Sequence, residues 1–219
     1  MNIYSVYKAY ISRTNKIVLN TITIVLAIFS LLLSKDESMF MMPLAVEPIV
    51  YVAVAGVMDF FQFGGVLSKK GNIPESILCA FKGKELLVKA VISDRLAHLI
   101  RLFVIVLPTL ILADSLTPGK LFVIVASWLG AFLAVTILNL ITRVLSLTFQ
   151  ISMLVAYLMM IPLSVIEIIP SVVYTFGTGD MTIFFAAVSV VYALLGIGFS
   201  VLQGYLAGST YRYKLADIH

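Results

Sequence analysis

Apolar residues along this chain fall into six long runs, with most polar residues gathered in the gaps between them. The runs cover about 17–34, 44–66, 97–113, 121–141, 145–167 and 182–207. Most are close to the roughly 20 residues that an α-helix, rising about 1.5 Å per residue, needs to cross a hydrocarbon core about 30 Å thick. Lipid offers no hydrogen-bond partner to an open backbone, so runs of this kind must be helices. The pattern predicts an all-α integral membrane protein with six transmembrane helices in a single domain, 1–219. The second run is irregular at its start, where Pro43, Glu47 and Pro48 fall.

Composition supports this. Hydrophobic residues make up 61% of the chain and charged residues only 12%, too little polar surface to keep a domain of this size dissolved. The single cysteine, Cys79, rules out an internal disulfide. The first run, preceded by Lys8, Arg13 and Lys16, resembles a signal peptide. It is longer than a usual signal core and continues into Ser34-Lys35-Asp36-Glu37-Ser38 without a small-residue cleavage site, so it reads as a retained helix.

Charge sets the expected orientation. With both termini in the cytoplasm, the inner segments 1–16, 67–96, 142–144 and 208–219, together with Arg101, carry 13 of the 15 basic residues. Only Lys35 and Lys120 fall outside, which is the bias of the positive-inside rule. The outer connections, about 35–43, 114–120 and 168–181, are too short for a folded domain. The last is apolar and broken by Pro170, Gly177 and Gly179, and reads as an element dipping into the interface.

Two polar segments break the pattern on the expected inner side. In residues 1–16, Ile3, Tyr7, Tyr10 and Ile11 recur at helical spacing beside basic residues, as in an interfacial helix. Ser68–Arg95 holds 6 of the 15 basic residues. Within it Asn72 suits a helix cap, with Pro74 and Glu75 in the first turn. Ile73, Ile77 and Phe81 then repeat every four residues on one face. Gly83 gives a stop, and a second helix begins near Lys84, with Glu85 and Lys89 at i,i+4, before merging with the third span through Asp94, Arg95 and His98.

The order of a basic leader, two spans, and a Gly71…Glu75 turn leading to Ile77-Leu78 and then Glu85-Leu86-Leu87 with Lys89 resembles the membrane subunits (permeases) of ABC-2 type ABC transporters. It departs from that pattern by one extra residue between Gly71 and Glu75, by Phe81–Gly83 in place of a turn proline, and by Ala90 after Lys89. The resemblance implies a cytoplasmic coupling-type helix between helices 2 and 3. It further implies that Asn72, Ile73, Glu75, Ile77, Leu78, Phe81, Lys82, Lys84 and Glu85 contact a separate ABC ATPase subunit, present in two copies with ATP and Mg. A second permease chain, as a homodimer or a related paralogue, and a multi-pass location in the plasma membrane follow from it. The chain itself lacks a phosphate-binding loop: before Gly83–Lys84 the required first glycine is Leu78, and the next residue is Glu85 rather than Ser or Thr.

Polar residues inside spans are costly and mark candidate functional positions. Asp59 and Arg101 lie at similar depth in adjacent antiparallel runs and are expected to pair; otherwise Arg101 snorkels and Asp59 faces a water-filled inlet. Glu47 and Glu167, near the outer boundary, either line an exit path or are solvated at the interface. Asn139 and Gln150 are expected as interhelical hydrogen-bond partners rather than ligand contacts, and Gly204 and Gly208 as a close-packing face. His98 reads as a helix-end residue at the interface, and His219 is the last residue. With one cysteine and two histidines, a soft-metal site is not expected.

The readings in play are an ATP-driven exporter subunit moving a peptide or other amphipathic molecule, a substrate-binding membrane subunit of an energy-coupling-factor type vitamin or metal importer, and an intramembrane enzyme or assembly factor. The long charged loop and the basic leader favour the first, and no catalytic motif supports an enzyme. Membrane lipid is an expected partner, and nucleic acid is not.

Overall fold

Ser12 opens the first span: its hydroxyl accepts a hydrogen bond from Asn15 N at 3.5 Å, satisfying one of the free donors of a helix start. The computed structural model describes residues 11–34, 41–63, 66–67, 82–112, 116–144, 149–177 and 180–216. These form α1 (Arg13–Leu33), α2 (Met41–Phe63), α3 (Gly83–Leu112), α4 (Pro118–Val144), α5 (Phe149–Phe176) and α6 (Thr182–Ala216). All six are long and apolar enough to cross a membrane. No strand occurs among the described residues.

The helices run up and down, so one end of the bundle gathers the start of α1, the ends of α2 and α4, the starts of α3 and α5, and the end of α6. This is the basic end, with Arg13, Lys16, Lys82 and Lys84; the far end holds the α1–α2, α3–α4 and α5–α6 connections. The most buried helix, α4, packs against α2, α3, α5 and α6, while α1 packs against α2 and α3. Ala55, Ala131, Ala134, Val135 and Leu138 fill the middle of the core with Tyr51, Leu102 and Leu163. Large apolar side chains such as Phe29, Leu158, Ile183 and Leu194 face outward on α1, α5 and α6. In water these faces would drive aggregation; against acyl chains they are solvated.

Several boundaries differ from the sequence expectation. The second span begins at Met41 and ends at Phe63, so Pro43 lies in its first turn, where a missing N–H costs nothing, and only Pro48 lies deeper. The third span and the second helix of the basic segment are one 30-residue helix from Gly83. It starts at Gly83 instead of stopping there; the break is Lys82, whose φ of 65° is left-handed. The fifth span runs to Phe176 through Pro162 and Pro170, so most of the expected dipping element is helix. Neighbouring helices make such prolines tolerable in a membrane. The expected leader helix lies mostly outside the described residues; Ile11 packs with Phe63 and Leu87, and residues from Arg13 belong to α1.

Hydroxyls and amides stitch the helices together. At the far end Thr109 Oγ1 meets Ser30 Oγ at 2.8 Å and Ser34 Oγ at 3.0 Å, joining α1 to α3. Near the basic end Asn15 Nδ2 donates to Met58 O at 2.9 Å and to Gln62 Oε1 at 2.6 Å, joining α1 to α2. Gly204 and Gly208 face α3: a Cβ on Gly204 would stand 3.7 Å from both Val88 and Ile92, and one on Gly208 would stand 3.1 Å from the Lys84 stem. At Gly56 α2 lies close against α4, since a Cβ there would overlap the Leu138 side chain. Gly56→Val should therefore destabilise the purified protein by about 1–3 kcal/mol, the usual cost of overpacking, and adding Leu138→Ala should recover part of it. Thermal unfolding in detergent checks both.

Candidate functional site

Four helices each send polar side chains into one buried volume in the basic half of the bundle. Asp59 comes from α2, Asp94, Arg95 and His98 from α3, Asn139, Thr142 and Arg143 from α4, and Gln203 from α6. All of them are buried, with Arg143, Asn139 and Gln203 at 0% exposure. Lipid and the apolar core surround them, so the charges must be answered within the protein.

Arg143 does most of the answering. Its Nε lies 3.0 and 3.1 Å from the two Asp59 oxygens, and Nη2 donates closely both to Asp59 Oδ1 and to Asp94 Oδ2. Its Nη1 donates to Gln203 Oε1 at 3.0 Å, and the guanidinium stands 4.5 Å from the centre of the Phe63 ring. The planar fork of arginine suits this multiple pairing; a lysine could not reproduce it. A second guanidinium completes the balance: Arg95 Nη2 lies 2.5 Å from Asp94 Oδ2 and 3.8 Å from Asp59 Oδ1. Two carboxylates thus face two guanidiniums, and the formal charges cancel.

Neutral groups close the edges. Thr142 Oγ1 donates to Asp59 Oδ2 at 2.9 Å, and Gln203 Nε2 to Thr136 O at 2.8 Å. With its amide oxygen toward Arg95, Asn139 accepts from Nη1 at 2.8 Å and from Nη2. Asn139 is thus an interhelical partner, as its position in the fourth run implied. His98 Nδ1 is 2.7 Å from the Tyr51 hydroxyl, and Nε2 is 3.5 Å from Asp94 Oδ1. His98 is therefore a core residue at 1% exposure, not the interfacial helix-end group that its place in the sequence suggested.

The expected Asp59–Arg101 pair does not form. Arg143 reaches Asp59 from α4, while Arg101 Nε donates to Asn20 Oδ1 on α1 at 2.9 Å. The alternative, in which Asp59 faces a water-filled inlet, fails as well, because the residue is 4% exposed. The two glutamates do not face the surface of the bundle. Glu47, on α2 near Ser30, is 4% exposed, and Glu167, on α5, is 0% exposed with neither oxygen partnered. Gln150 lies in α5, with its side chain outside the described residues.

Of the expected partner-contact residues, Asn72, Ile73, Glu75, Ile77, Leu78 and Phe81 lie outside the described residues. Lys82, Lys84 and Glu85 are exposed at the start of α3, and Glu85 pairs with Lys89 at 3.8 Å, an exposed i,i+4 bridge of little energetic weight.

The network as a whole is not evident in the sequence, although Asp59 and Asn139 stand out individually. Arg143 counted only toward topology, and Tyr51 and Gln203 drew no attention. One signal pointed to it. Asp94, His98 and Arg101 fall at i, i+4 and i+7, a charged stripe on a helix that continues into an apolar span. None of the family models, curated proteins or solved structures compared with this chain matches it.

Removing one member leaves its partners charged and buried. Arg143→Ala should cost about 3–5 kcal/mol, whereas Arg143→Ala combined with Asp59→Asn should cost less than the sum of the single changes. A double-mutant cycle on thermal unfolding and on the yield of monodisperse protein checks this.

Proposed function

We propose that this chain is the membrane-spanning subunit of an ATP-driven exporter of the ABC-2 type, with the basic end in the cytoplasm. Two such chains form the translocation path in the plasma membrane, and two separate ATPase subunits, carrying ATP and Mg, work on the segment around 69–90. The substrate is a peptide or another amphipathic molecule. The observation that carries this reading is the continuity of α3. A single helix runs from Gly83, beside the expected ATPase contact, to Leu112, and it brings Asp94, Arg95 and His98 into the centre of the buried network.

Coupling at a distance needs a stiff connector and an element with two discrete arrangements. In this reading α3 is the connector, and the network is the element it shifts. Closed, the ion pairs hold the basic ends of α2, α3, α4 and α6 together. A push on the start of α3 moves two of the four formal charges relative to the other two. Buried pairs of this kind resist small displacements and release over a short distance, because attraction falls with separation while the desolvation cost stays.

Replacing Lys89 and Ala90 with glycine would soften the connector without changing its length or register. The expected result is retention of the co-purifying ATPase to within about twofold, with ATP-dependent transport in proteoliposomes reduced at least tenfold. Replacing Glu75, Ile77 and Phe81 together with alanine should instead abolish ATPase association. Association and transport that survive the triple replacement contradict the reading.

A further inference from the structure

The far half of the bundle holds a carboxylate whose charge no neighbouring cation answers. Glu47 of α2 is buried, and its Oε1 has no hydrogen-bond partner. Its carboxyl bonds the Ser30 hydroxyl of α1, and no cationic side chain among the described residues reaches it. A single negative charge held this way in a lipid-embedded core is expensive.

Oxygen atoms gather beside it from three helices. Ser30 Oγ lies 2.8 Å from Thr109 Oγ1 of α3, which in turn lies 3.0 Å from Ser34 Oγ at the end of α1. Ser30 and Thr109 are fully buried and Ser34 nearly so. On α2, Pro48 has no N–H, so the Leu44 carbonyl lacks its usual helical donor, and Leu44, Glu47 and Pro48 share the buried face of that helix. Ser34 caps α1, and Glu47 stands about 9 Å along α2 from Met41, so the cluster lies just inside the far end.

With the hydroxyl protons running toward Glu47, the chain of hydroxyls solvates one carboxylate oxygen and leaves the other bare. A hydroxyl can instead turn its proton to the carbonyl one turn back and present its oxygen to an ion. Thr23, Thr136 and Ser189 make that backbone bond elsewhere in this bundle. The cluster is all oxygen, the donor set of hard cations. Its single negative charge is cancelled by a monovalent ion, whereas a divalent one would leave an unanswered positive charge in a low-dielectric core. Oxygens this close together suit a small ion better than a large one.

We propose that Glu47, Ser30, Ser34 and Thr109 bind a sodium ion, with the Leu44 carbonyl available on the same buried face. The ion supplies the missing counter-charge and ties α1, α2 and α3 together at the far end. The proposal goes beyond the exporter reading and does not depend on it.

Thermal unfolding of the full chain in detergent, at constant pH and ionic strength, compares sodium, potassium and choline chlorides. Sodium is expected to raise the midpoint by at least about 4 °C over choline, because an ion that binds only the folded state stabilises it by mass action. Glu47→Gln should remove the sodium response while matching or exceeding the wild-type midpoint in choline, since it removes the unanswered charge. Ser30→Ala and Thr109→Val should each raise the half-saturating sodium concentration severalfold. The same sodium response in wild type and Glu47→Gln, no difference between sodium and choline for wild type, or equal effects of sodium and potassium overturns the proposal. If Glu47→Gln yields no monodisperse protein, binding of radioactive sodium to wild type, Ser30→Ala and Thr109→Val carries the test, and absent binding or equal affinity in all three overturns it. The ATPase-association test on the 69–90 segment bears on the exporter reading alone and leaves this site standing either way.

Discussion

Arg143 and the two aspartates that it bridges set the terms for the rest of this structure. Its guanidinium holds Asp59 of α2 and Asp94 of α3, and reaches Gln203 of α6, from a position at the end of α4. Each of these groups would be intolerable alone in a lipid-embedded core. Together they require that four helices meet at one depth and in one rotational setting. An apolar core gives no comparable demand, because leucine and valine pack acceptably in many registers. The network therefore specifies the arrangement more than it stabilises it, a role attested for buried polar groups elsewhere and consistent with the modest net value of buried pairs.

The surrounding packing follows from that requirement. Small residues along α4 and α2, notably Ala55, Gly56, Ala131 and Ala134, let the helices approach closely enough for side chains to span the gap. The turn after α2 is tied to the same place, since Leu67 N donates to the Arg143 carbonyl at 2.8 Å and Thr210 Oγ1 to the Leu67 carbonyl at 3.0 Å. The basic end is thus bound by both backbone and side chains. The far half is organised differently, with hydroxyl links among Ser30, Ser34 and Thr109 and a buried Glu167 on α5. The basic half has its charges answered internally.

The six spans were legible because hydrophobic run length is a direct readout of bilayer thickness. Their ends were less so. Pro43, Pro48 and Pro170 read as breaks, yet all three lie inside helices, where neighbouring helices and first-turn placement remove the usual penalty. Individual polar residues inside spans were visible as costly, and Asn139 as a bridge between helices. Their partners were not. Asp59 and Arg101 were matched by depth alone, whereas the true partner is set by which faces of α2 and α4 meet, and a sequence without its packing does not carry that. Arg143 was hidden by its position: a basic residue two from the end of an apolar run normally reports topology, and only the close approach of α2, α3 and α6 turns it inward.

The central claim is that the buried ion pairs hold the basic ends of the helices in a single arrangement. Spin labels placed on the outward-facing Phe61 of α2 and Tyr205 of α6, in a Cys79→Ser background, measure that arrangement directly by pulsed electron resonance in nanodiscs. A single narrow distance distribution is expected for the otherwise unchanged protein, with a second or much broader population when Arg143→Gln is added. The same narrow distribution with and without Arg143 would contradict the account.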